Sequence, residues 1–218
     1  MRGWLRGGLV LGAALLCALP ALRPGARAAD QLALGASVPV PERPQDPGLG
    51  VWSADRLAQW ASLTARLGQE SASPPTAALR AWHKALAPLR GKPLDRQIEA
   101  VNAYVNAAPW ISDEENYGVS DLWATPGQFL TRGGDCEDYA IAKFFSLLRL
   151  GVPADHMRIL VVHDSVRDLV HAVLEVTTPK GAVVLDNLAP EVIPVEKAQQ
   201  YQALYSVNLQ HLWLHKAF

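Results

Sequence analysis

The spacing of apolar residues predicts helices in the first part of the chain and strands in its last part. Apolar side chains recur every three or four residues, the period of a helix with one buried face, in residues 53–67, 76–89 and 94–107. Short runs rich in valine, leucine and isoleucine, separated by turns, predict strands over residues 158–163, 169–177, 182–188 and 203–209. Helices followed by a series of strands predict an α+β fold with an antiparallel sheet.

A further helical pattern begins beside a cysteine. Apolar residues recur at helical spacing through residues 140–148, and the run Gly133-Gly134-Asp135 before them supplies a turn and an N-cap. Gly151 and then Pro153 predict where this helix ends. We therefore expect Cys136 in the first turn of a helix packed on the sheet, where free backbone N–H groups and the helix dipole favour a thiolate.

Residues 109–128 show no clear period, and we predict a loop there. This segment includes the acidic run Asp113-Glu114-Glu115-Asn116 and the aromatic residue Trp123. A structureless segment of this length is uncommon inside a compact domain and is often functional.

The first 28 residues have the pattern of a secretory signal peptide. A basic start that includes Arg2 precedes an apolar stretch over residues 9–19, and Ala26-Arg27-Ala28 matches a cleavage site. Residues 29–50 are rich in proline and glycine, which predicts an extended lead-in. Residues 51–218 have the length of a single domain, which we expect to be exported.

Export would change the cysteine count and the charge. Loss of residues 1–28 removes Cys17, so Cys136 would be the one cysteine left and no intramolecular disulfide could form. A single thiol kept in an oxidising compartment indicates a use, although a buried inert thiol is the commoner case. The same residues hold four arginines and no acid, so the formal net charge would change from −1 to −5. That charge gives no reason to expect nucleic acid or an anionic membrane as a partner.

The turn between two predicted strands brings a histidine near an aspartate. If Thr178 faces Gly181 across a tight turn, His171 and Asp186 become diagonal neighbours on one face of the sheet. Such neighbours lie roughly 7–8 Å apart, close enough for a carboxylate to reach an imidazole nitrogen. A register slip of one residue would place the two side chains on opposite faces.

These residue types have the chemistry of a cysteine protease triad. Cys136 would attack a carbonyl, His171 would exchange protons with the thiol and the leaving amine, and Asp186 would orient the imidazole. A histidine on a strand is more often a partly exposed surface residue. His163, at the end of another predicted strand, is the main competitor for the role of His171.

Three carboxylates surround the predicted nucleophile: Asp135, Glu137 and Asp138. Carboxylates close to a thiol raise its pKa and oppose thiolate formation. Either these groups point away and cap the helix, or a cation neutralises them. Ca²⁺ takes roughly 6–8 oxygen ligands and suits Asp135 and Glu137, with Asp138 as a possible further ligand.

The segment around Cys136 resembles a known protein family. Three runs are similar to motifs of the bacterial transglutaminase-like cysteine proteinases: Asp121-Leu122-Trp123-Ala124-Thr125-Pro126, Gly134-Asp135-Cys136-Glu137-Asp138-Tyr139-Ala140-Ile141-Ala142-Lys143 and Leu185-Asp186-Asn187-Leu188. The resemblance extends over residues 95–213. It implies a papain-like or transglutaminase-like fold and a Cys-His-Asp triad at Cys136, His171 and Asp186.

The resemblance also implies a cofactor and partners. It implies a calcium ion held by acidic residues that match Asp135 and Glu137, and a location in the periplasm. It implies cleavage of a large cell-surface adhesin near its N-terminus, at a site with paired alanines, which releases the adhesin and promotes biofilm dispersal. It further implies that an inner-membrane cyclic-di-GMP receptor sequesters the protease when the nucleotide is abundant.

Two other functions stay open at this point. A transglutaminase-type acyl transferase would use the same three groups, because both reactions pass through a thioester and differ in whether water or an amine resolves it. A non-catalytic calcium-binding adaptor would not need an intact triad. The sequence does not identify a second oxyanion donor beside the Cys136 backbone N–H, and Trp123 and Gln128 are the nearby candidates.

Overall fold

The computed structural model describes residues 52–215, so the predicted signal peptide (1–28) and the lead-in (29–50) lie outside the described residues. The helices come first: α1 (Trp52–Ala72), α2 (Ala77–Leu86), α3 (Leu94–Asn106), α4 (Asp113–Tyr117), α5 (Pro126–Arg132) and α6 (Cys136–Leu150). The strands follow: β1 (Met157–Asp164), β2 (Leu169–Thr178), β3 (Gly181–Leu185), β4 (Ile193–Pro194), β5 (Tyr201–Val207) and β6 (Leu212–Leu214). Among the helices of this part of the chain, none is both long enough and apolar enough to span a membrane.

The first three helices confirm the helical period. Thr76 caps α2, because its hydroxyl accepts a hydrogen bond from the Leu79 backbone N–H. A short 3₁₀ turn, Ala87–Leu89, continues α2 to the end of the predicted segment. α1 runs on to Ala72, five residues past its predicted end, whereas α3 ends one residue before the prediction.

The predicted loop over residues 109–128 is wrong, because the segment contains all of α4 and the start of α5. Ser112 begins α4 by accepting a hydrogen bond from Glu115 N–H, and Gly118 ends it with a left-handed φ of 70°. Five residues make little more than one turn, too few to show a helical period. α5 begins with a capping box between Thr125 and Gln128.

All neighbouring strands are antiparallel, in the order β4-β3-β2-β1-β5-β6, so the predicted α+β class is confirmed. The two edge strands β4 and β6 have two and three residues and were not predicted, since neither is long enough to show an alternating pattern. β3 ends at Leu185, three residues before the predicted end. The chain leaves the sheet there because the Asp186 carboxylate accepts a hydrogen bond from Leu188 N–H and forms a turn.

α6 lies between the sheet and the other helices. It contacts β1 and β2 on one side and α3 and α5 on the other, and every residue from Asp138 to Leu148 is buried. The main hydrophobic core therefore surrounds this helix. A smaller cluster covers the opposite face of the sheet and includes Val162, Val173, Val184 and Tyr201.

Candidate active site

The turn that carries Cys136 is held by a parallel segment of the chain. Gly134 N–H donates to the Pro109 carbonyl at 3.3 Å, and Ile111 N–H donates to the Gly134 carbonyl at 3.0 Å. These bonds form an isolated bridge between Trp110 and Gly134, two residues before the cysteine. The backbone leading into α6 is thereby fixed on one side before the helix begins.

The predicted capping role of Asp135 is wrong. Asp135 occupies the N-cap position, but its side chain makes no capping hydrogen bond. The buried Asp138 instead accepts a hydrogen bond at Oδ1 from Ala124 N–H at 2.6 Å, tying the first turn of α6 to the segment before α5. Gly134 makes this possible, because a methyl group on its Cα would overlap the Asp138 carboxylate.

Cys136 lies at the first position of α6 and contacts both the acidic group and the sheet. Its Sγ is 3.2 Å from Glu137 Oε2, and the Ala172 backbone N–H lies near the sulfur. Burial raises the pKa of the Cys136 thiol, and the negative charge of Glu137 raises it further. In the protein without bound cations, burial and the neighbouring carboxylates outweigh the helix dipole that was expected to favour the thiolate.

His171 and Asp186 form a buried pair at the edge of the same region. The predicted turn register is confirmed, since Thr178 pairs with Gly181 and Leu174 with Leu185. His171 Nε2 is 2.7 Å from Asp186 Oδ1, and the two side chains are 2% and 0% exposed. This contact leaves the other ring nitrogen of His171 free of Asp186. Cys136 lies near Ala172, the residue after His171, so the cysteine is close to the strand that carries the histidine.

The Asp186 carboxylate is the most heavily hydrogen-bonded group of the site. Its Oδ1 also accepts from Leu188 N–H at 2.9 Å, and its Oδ2 accepts from the Tyr201 hydroxyl at 2.6 Å. Burial alone would raise the pKa of Asp186, but the hydrogen bonds from His171, Leu188 and Tyr201 lower it to about 2. Asp186 is therefore ionised at neutral pH despite its burial.

Lys143 is a buried basic residue whose charge interacts with that of Asp186. It lies on α6 seven residues after Cys136, is fully buried, and its Nζ has no hydrogen-bond partner among the described residues. Burial lowers the pKa of Lys143 to about 7, while the charge of Asp186 acts in the opposite direction. No pattern in the sequence separates this lysine from the apolar residues of the helix.

His163, the competing histidine, is placed in a different environment. Its Nε2 is 3.0 Å from Asp168 Oδ1, and that aspartate side chain is 92% exposed at the β1–β2 turn. A pair in contact with solvent does not hold an imidazole in one orientation as a buried pair does. The geometry therefore favours His171 over His163.

Asp113, Asp135 and Glu137 form an acidic group whose ligand oxygens lie within 4.8 Å of one another. Asp113 was not predicted as a ligand, although it belongs to the acidic run in the aperiodic segment. Asp138 was predicted as a possible ligand but is not part of this group; its Oδ1 accepts a hydrogen bond from Ala124 N–H, and its Oδ2 is buried without a hydrogen-bond partner among the described residues.

The chemistry of this acidic group fits a hard cation. Asp113 Oδ1 and Asp135 Oδ1 are buried and have no hydrogen-bond partner among the described residues. Burial, and then the charge of Glu137, raise the pKa of Asp135 to about 8, and burial also raises the pKa of Glu137. Clustered, desolvated carboxylates with free oxygens match the oxygen ligands that Ca²⁺ prefers.

The two oxyanion candidates make other contacts. Gln128 Oε1 accepts from Thr125 N–H at 2.9 Å within the capping box of α5. The Trp123 ring is buried against Trp60, with ring centroids 6.0 Å apart. The contacts of the described residues connect neither side chain to Cys136, so a second oxyanion donor stays unassigned.

The arrangement has the parts needed for acyl transfer through a thioester. A thiol lies at a helix N-terminus near β2, and a buried imidazole on that strand contacts an ionised carboxylate. The adjacent acidic group opposes thiolate formation unless a cation offsets its charge.

Comparisons with known proteins identify the family of this chain. A family model described as bacterial transglutaminase-like cysteine proteinase (BTLCP) matches residues 83–215. Among solved structures, Legionella pneumophila LapG is 34% identical, over 64% of this chain and 78% of that chain, with a TM-score of 0.57. A structure titled as calcium-bound LapG from the same organism is 31% identical, over 76% of this chain and 88% of that chain, also with a TM-score of 0.57.

A third LapG structure from that organism, titled as EGTA-treated, is 34% identical over 64% of this chain and 77% of that chain, with a TM-score of 0.58. No curated protein sequence matches the chain. The family match spans more than half of the chain and includes Cys136, His171 and Asp186. The chain therefore belongs to the bacterial transglutaminase-like cysteine proteinase family and has a transglutaminase-like fold.

Proposed function

We propose that this protein is a calcium-dependent periplasmic cysteine endopeptidase. Its substrate is a large cell-surface adhesin, cut near the N-terminus at a site with paired alanines, so that the adhesin is released and biofilm dispersal is promoted. The observation that carries the proposal is the buried His171–Asp186 pair, at 2.7 Å, on the strand that lies near Cys136 at the start of α6.

In this mechanism Cys136 is the nucleophile. Its thiolate attacks the scissile carbonyl carbon, and the C–N bond breaks as the His171 imidazolium gives its proton to the leaving amine. The remaining thioester is then hydrolysed by water, from which His171 takes a proton, and the thiolate leaves. Asp186 keeps the imidazole oriented and stabilises its charged form.

Asp113, Asp135 and Glu137 would hold the calcium ion. When bound, the ion supplies positive charge that offsets the carboxylates which raise the pKa of the Cys136 thiol. The titles of the LapG structures, one calcium-bound and one EGTA-treated, support a role for calcium in that relative. The partnerless oxygens of Asp113 and Asp135 support one here.

The location and the regulatory partner follow from the resemblance to LapG. The signal-peptide pattern of residues 1–28 supports export to the periplasm. By the same resemblance, a LapD-type inner-membrane cyclic-di-GMP receptor is proposed to sequester the protease. No direct insertion into the membrane is proposed.

A peptide-library digestion tests the proposed reaction. The purified chain is incubated with peptides that contain paired alanines or matched Gly-Ser pairs, in calcium and in EGTA, with Cys136→Ala as the control. We expect cleavage at the alanine pair only in calcium and only with Cys136 present. An added primary amine distinguishes the protease from the alternative acyl transferase. A transglutaminase-type transferase would join the acyl group to the amine as an amide, whereas a protease would release a free acid. Calcium binding without any acyl transfer would favour the adaptor.

A further inference from the structure

Tyr201 reaches Asp186 from a distant strand. Tyr201 begins β5, and β1 and β2 separate β5 from β3 in the sheet. Its hydroxyl nevertheless donates to Asp186 Oδ2 at 2.6 Å. The tyrosine packs against the smaller hydrophobic cluster, which also includes Val173 and Val184, so its side chain lies over the sheet face shared by His171 and Asp186.

The two oxygens of Asp186 have different donors. Oδ1 accepts hydrogen bonds from both His171 Nε2 and Leu188 N–H. Among the described residues, Oδ2 accepts a hydrogen bond from the Tyr201 hydroxyl. Asp186 is fully buried, so loss of the tyrosine hydroxyl would leave Oδ2 without a donor in a water-poor environment. The carboxylate could then rotate about its terminal torsion and change its contact with His171.

The aromatic ring of Tyr201 also constrains the imidazole. The Tyr201 and His171 ring centroids are 6.5 Å apart, with an angle of 47° between the ring planes. The remaining charged groups that act on Asp186 or Tyr201 are Lys143 from α6 and Arg167 from the β1–β2 turn, and neither donates a hydrogen bond to Oδ2. Tyr201 thus contacts both members of the pair.

We infer that Tyr201 is a positioning residue for the reaction, which holds the Asp186 carboxylate by its hydroxyl and thereby fixes the orientation of the His171 ring. The inference rests on the proposed function, because positioning matters only if His171 exchanges protons with Cys136 and substrate. Tyr201 does not touch the reacting atoms in this role. It acts through Asp186, as the carboxylate acts through the imidazole.

The kinetic test compares Tyr201→Phe with Tyr205→Phe. Both substitutions remove one hydroxyl from β5, but Tyr205 packs against the main core on the other side of the sheet. With the paired-alanine peptide, calcium-loaded Tyr201→Phe should lose about tenfold to a hundredfold in kcat, with KM within about twofold. Tyr205→Phe should keep the wild-type kcat. Wild-type kcat in Tyr201→Phe would overturn the inference.

A spectroscopic readout tests the positioning without any peptidase assay. The proton between His171 Nε2 and Asp186 should give a downfield ¹H NMR signal that is absent in His171→Ala. In Tyr201→Phe we expect this signal to shift or broaden, while the rest of the spectrum shows a folded protein and Tyr205→Phe matches the wild type. If the wild type cleaves no peptide, the proposed function fails, and a shifted signal would then show only that Tyr201 holds the His171–Asp186 pair in place. An unmoved signal would overturn the inference whatever the kinetics.

Discussion

Asp186 lies one residue beyond the end of β3, yet its Oδ1 atom is 2.7 Å from Nε2 of His171 on β2. The register of the β2–β3 hairpin places the two residues on the same face. Diagonal neighbours on a sheet lie roughly 7–8 Å apart, and the two side chains span that separation to form the contact. The same Oδ1 also accepts a hydrogen bond from Leu188 N–H as the chain leaves the sheet.

Removal of either the thiol or the imidazole should abolish cleavage. Cys136→Ala and His171→Ala should each lower kcat/KM by at least about a thousandfold, because the nucleophile or its acid–base partner is lost. His163→Ala is the matched control, since that histidine contacts only an exposed aspartate, and it should retain activity. Circular dichroism would verify folding. Comparable turnover by His171→Ala and the wild type would exclude His171 from catalysis.

Asp186 should stabilise the fold in a pH-dependent way. Its pKa is lowered to about 2, so its contribution is present above the unfolded pKa of about 3.9 and is lost as the pH falls towards 2. Asp186→Asn should therefore be less stable than the wild type at pH 6 by on the order of 1–2 kcal/mol. The difference should shrink below about pH 4, because the unfolded Asp186 then binds a proton while the folded carboxylate stays ionised until the pH approaches 2. Urea unfolding at pH 6 and at pH 2.5 measures the difference in the free energy of unfolding between the wild type and Asp186→Asn. An equal difference at the two pH values would refute the prediction.

Calcium binding should release protons. In the calcium-free protein, burial and then Glu137 raise the pKa of Asp135 to about 8, so Asp135 binds a proton at neutral pH that the cation must displace. Calcium affinity should rise by up to about tenfold per pH unit between about pH 5 and 8. Calorimetry in buffers with different ionisation enthalpies measures the protons released. Fewer protons should be released when calcium binds Asp135→Asn than when it binds the wild type.

The same raised pKa has a consequence for stability in chelator. When the pKa of a carboxyl group is higher in the folded protein than in the unfolded chain, the folded protein loses stability as the pH rises between those two pKa values. In EGTA, the wild-type melting temperature should therefore fall between about pH 4 and 8, and saturating calcium should reverse the loss. If calcium left both the melting temperature and the activity unchanged at pH 7.5, no cation would bind the acidic group.

Asp113 should contribute to calcium binding although it lies outside the Cys136 motif. Asp113→Asn keeps the size of the side chain but removes its charge from the group formed with Asp135 and Glu137. We expect calcium affinity to fall by about tenfold or more. Glu114→Gln is the matched control, because Glu114 is the exposed neighbour on α4 and should bind calcium like the wild type. Equal affinities of the two variants would remove Asp113 from the site.

Two glycine substitutions should have opposite effects on stability. In Gly134→Ala the new methyl group would overlap the buried Asp138 carboxylate and break its hydrogen bond to Ala124, so we expect a loss of about 1–3 kcal/mol. Gly68→Ala places its methyl group in open space on α1 and should stabilise the protein by about 0.5–1 kcal/mol. Denaturant unfolding of both variants measures the difference. A neutral Gly134→Ala would show that Asp138 can move without cost.

The sequence alone was sufficient where the physical cause is local. Helical period identified α1, α2, α3 and α6, and Gly151 ends α6 as predicted, with a φ of 99°. The turn after β2 determined the hairpin register, and the side-chain period of two then placed His171 and Asp186 on one face. Short elements such as α4, β4 and β6 escaped prediction, because a few residues cannot display a period.

Only the tertiary structure decided which distant side chains complete the site. Asp113 joins Asp135 and Glu137 because the chain between α3 and α6 folds back beside Gly134, and no local pattern encodes that path. Tyr201 meets Asp186 because β5 pairs with β1 and the smaller cluster packs the tyrosine over the sheet. The neighbours brought by the fold decided the electrostatics as well. Burial raises the pKa of both carboxyl groups, but three donors lower that of Asp186 to about 2, whereas Glu137 helps to raise that of Asp135 to about 8.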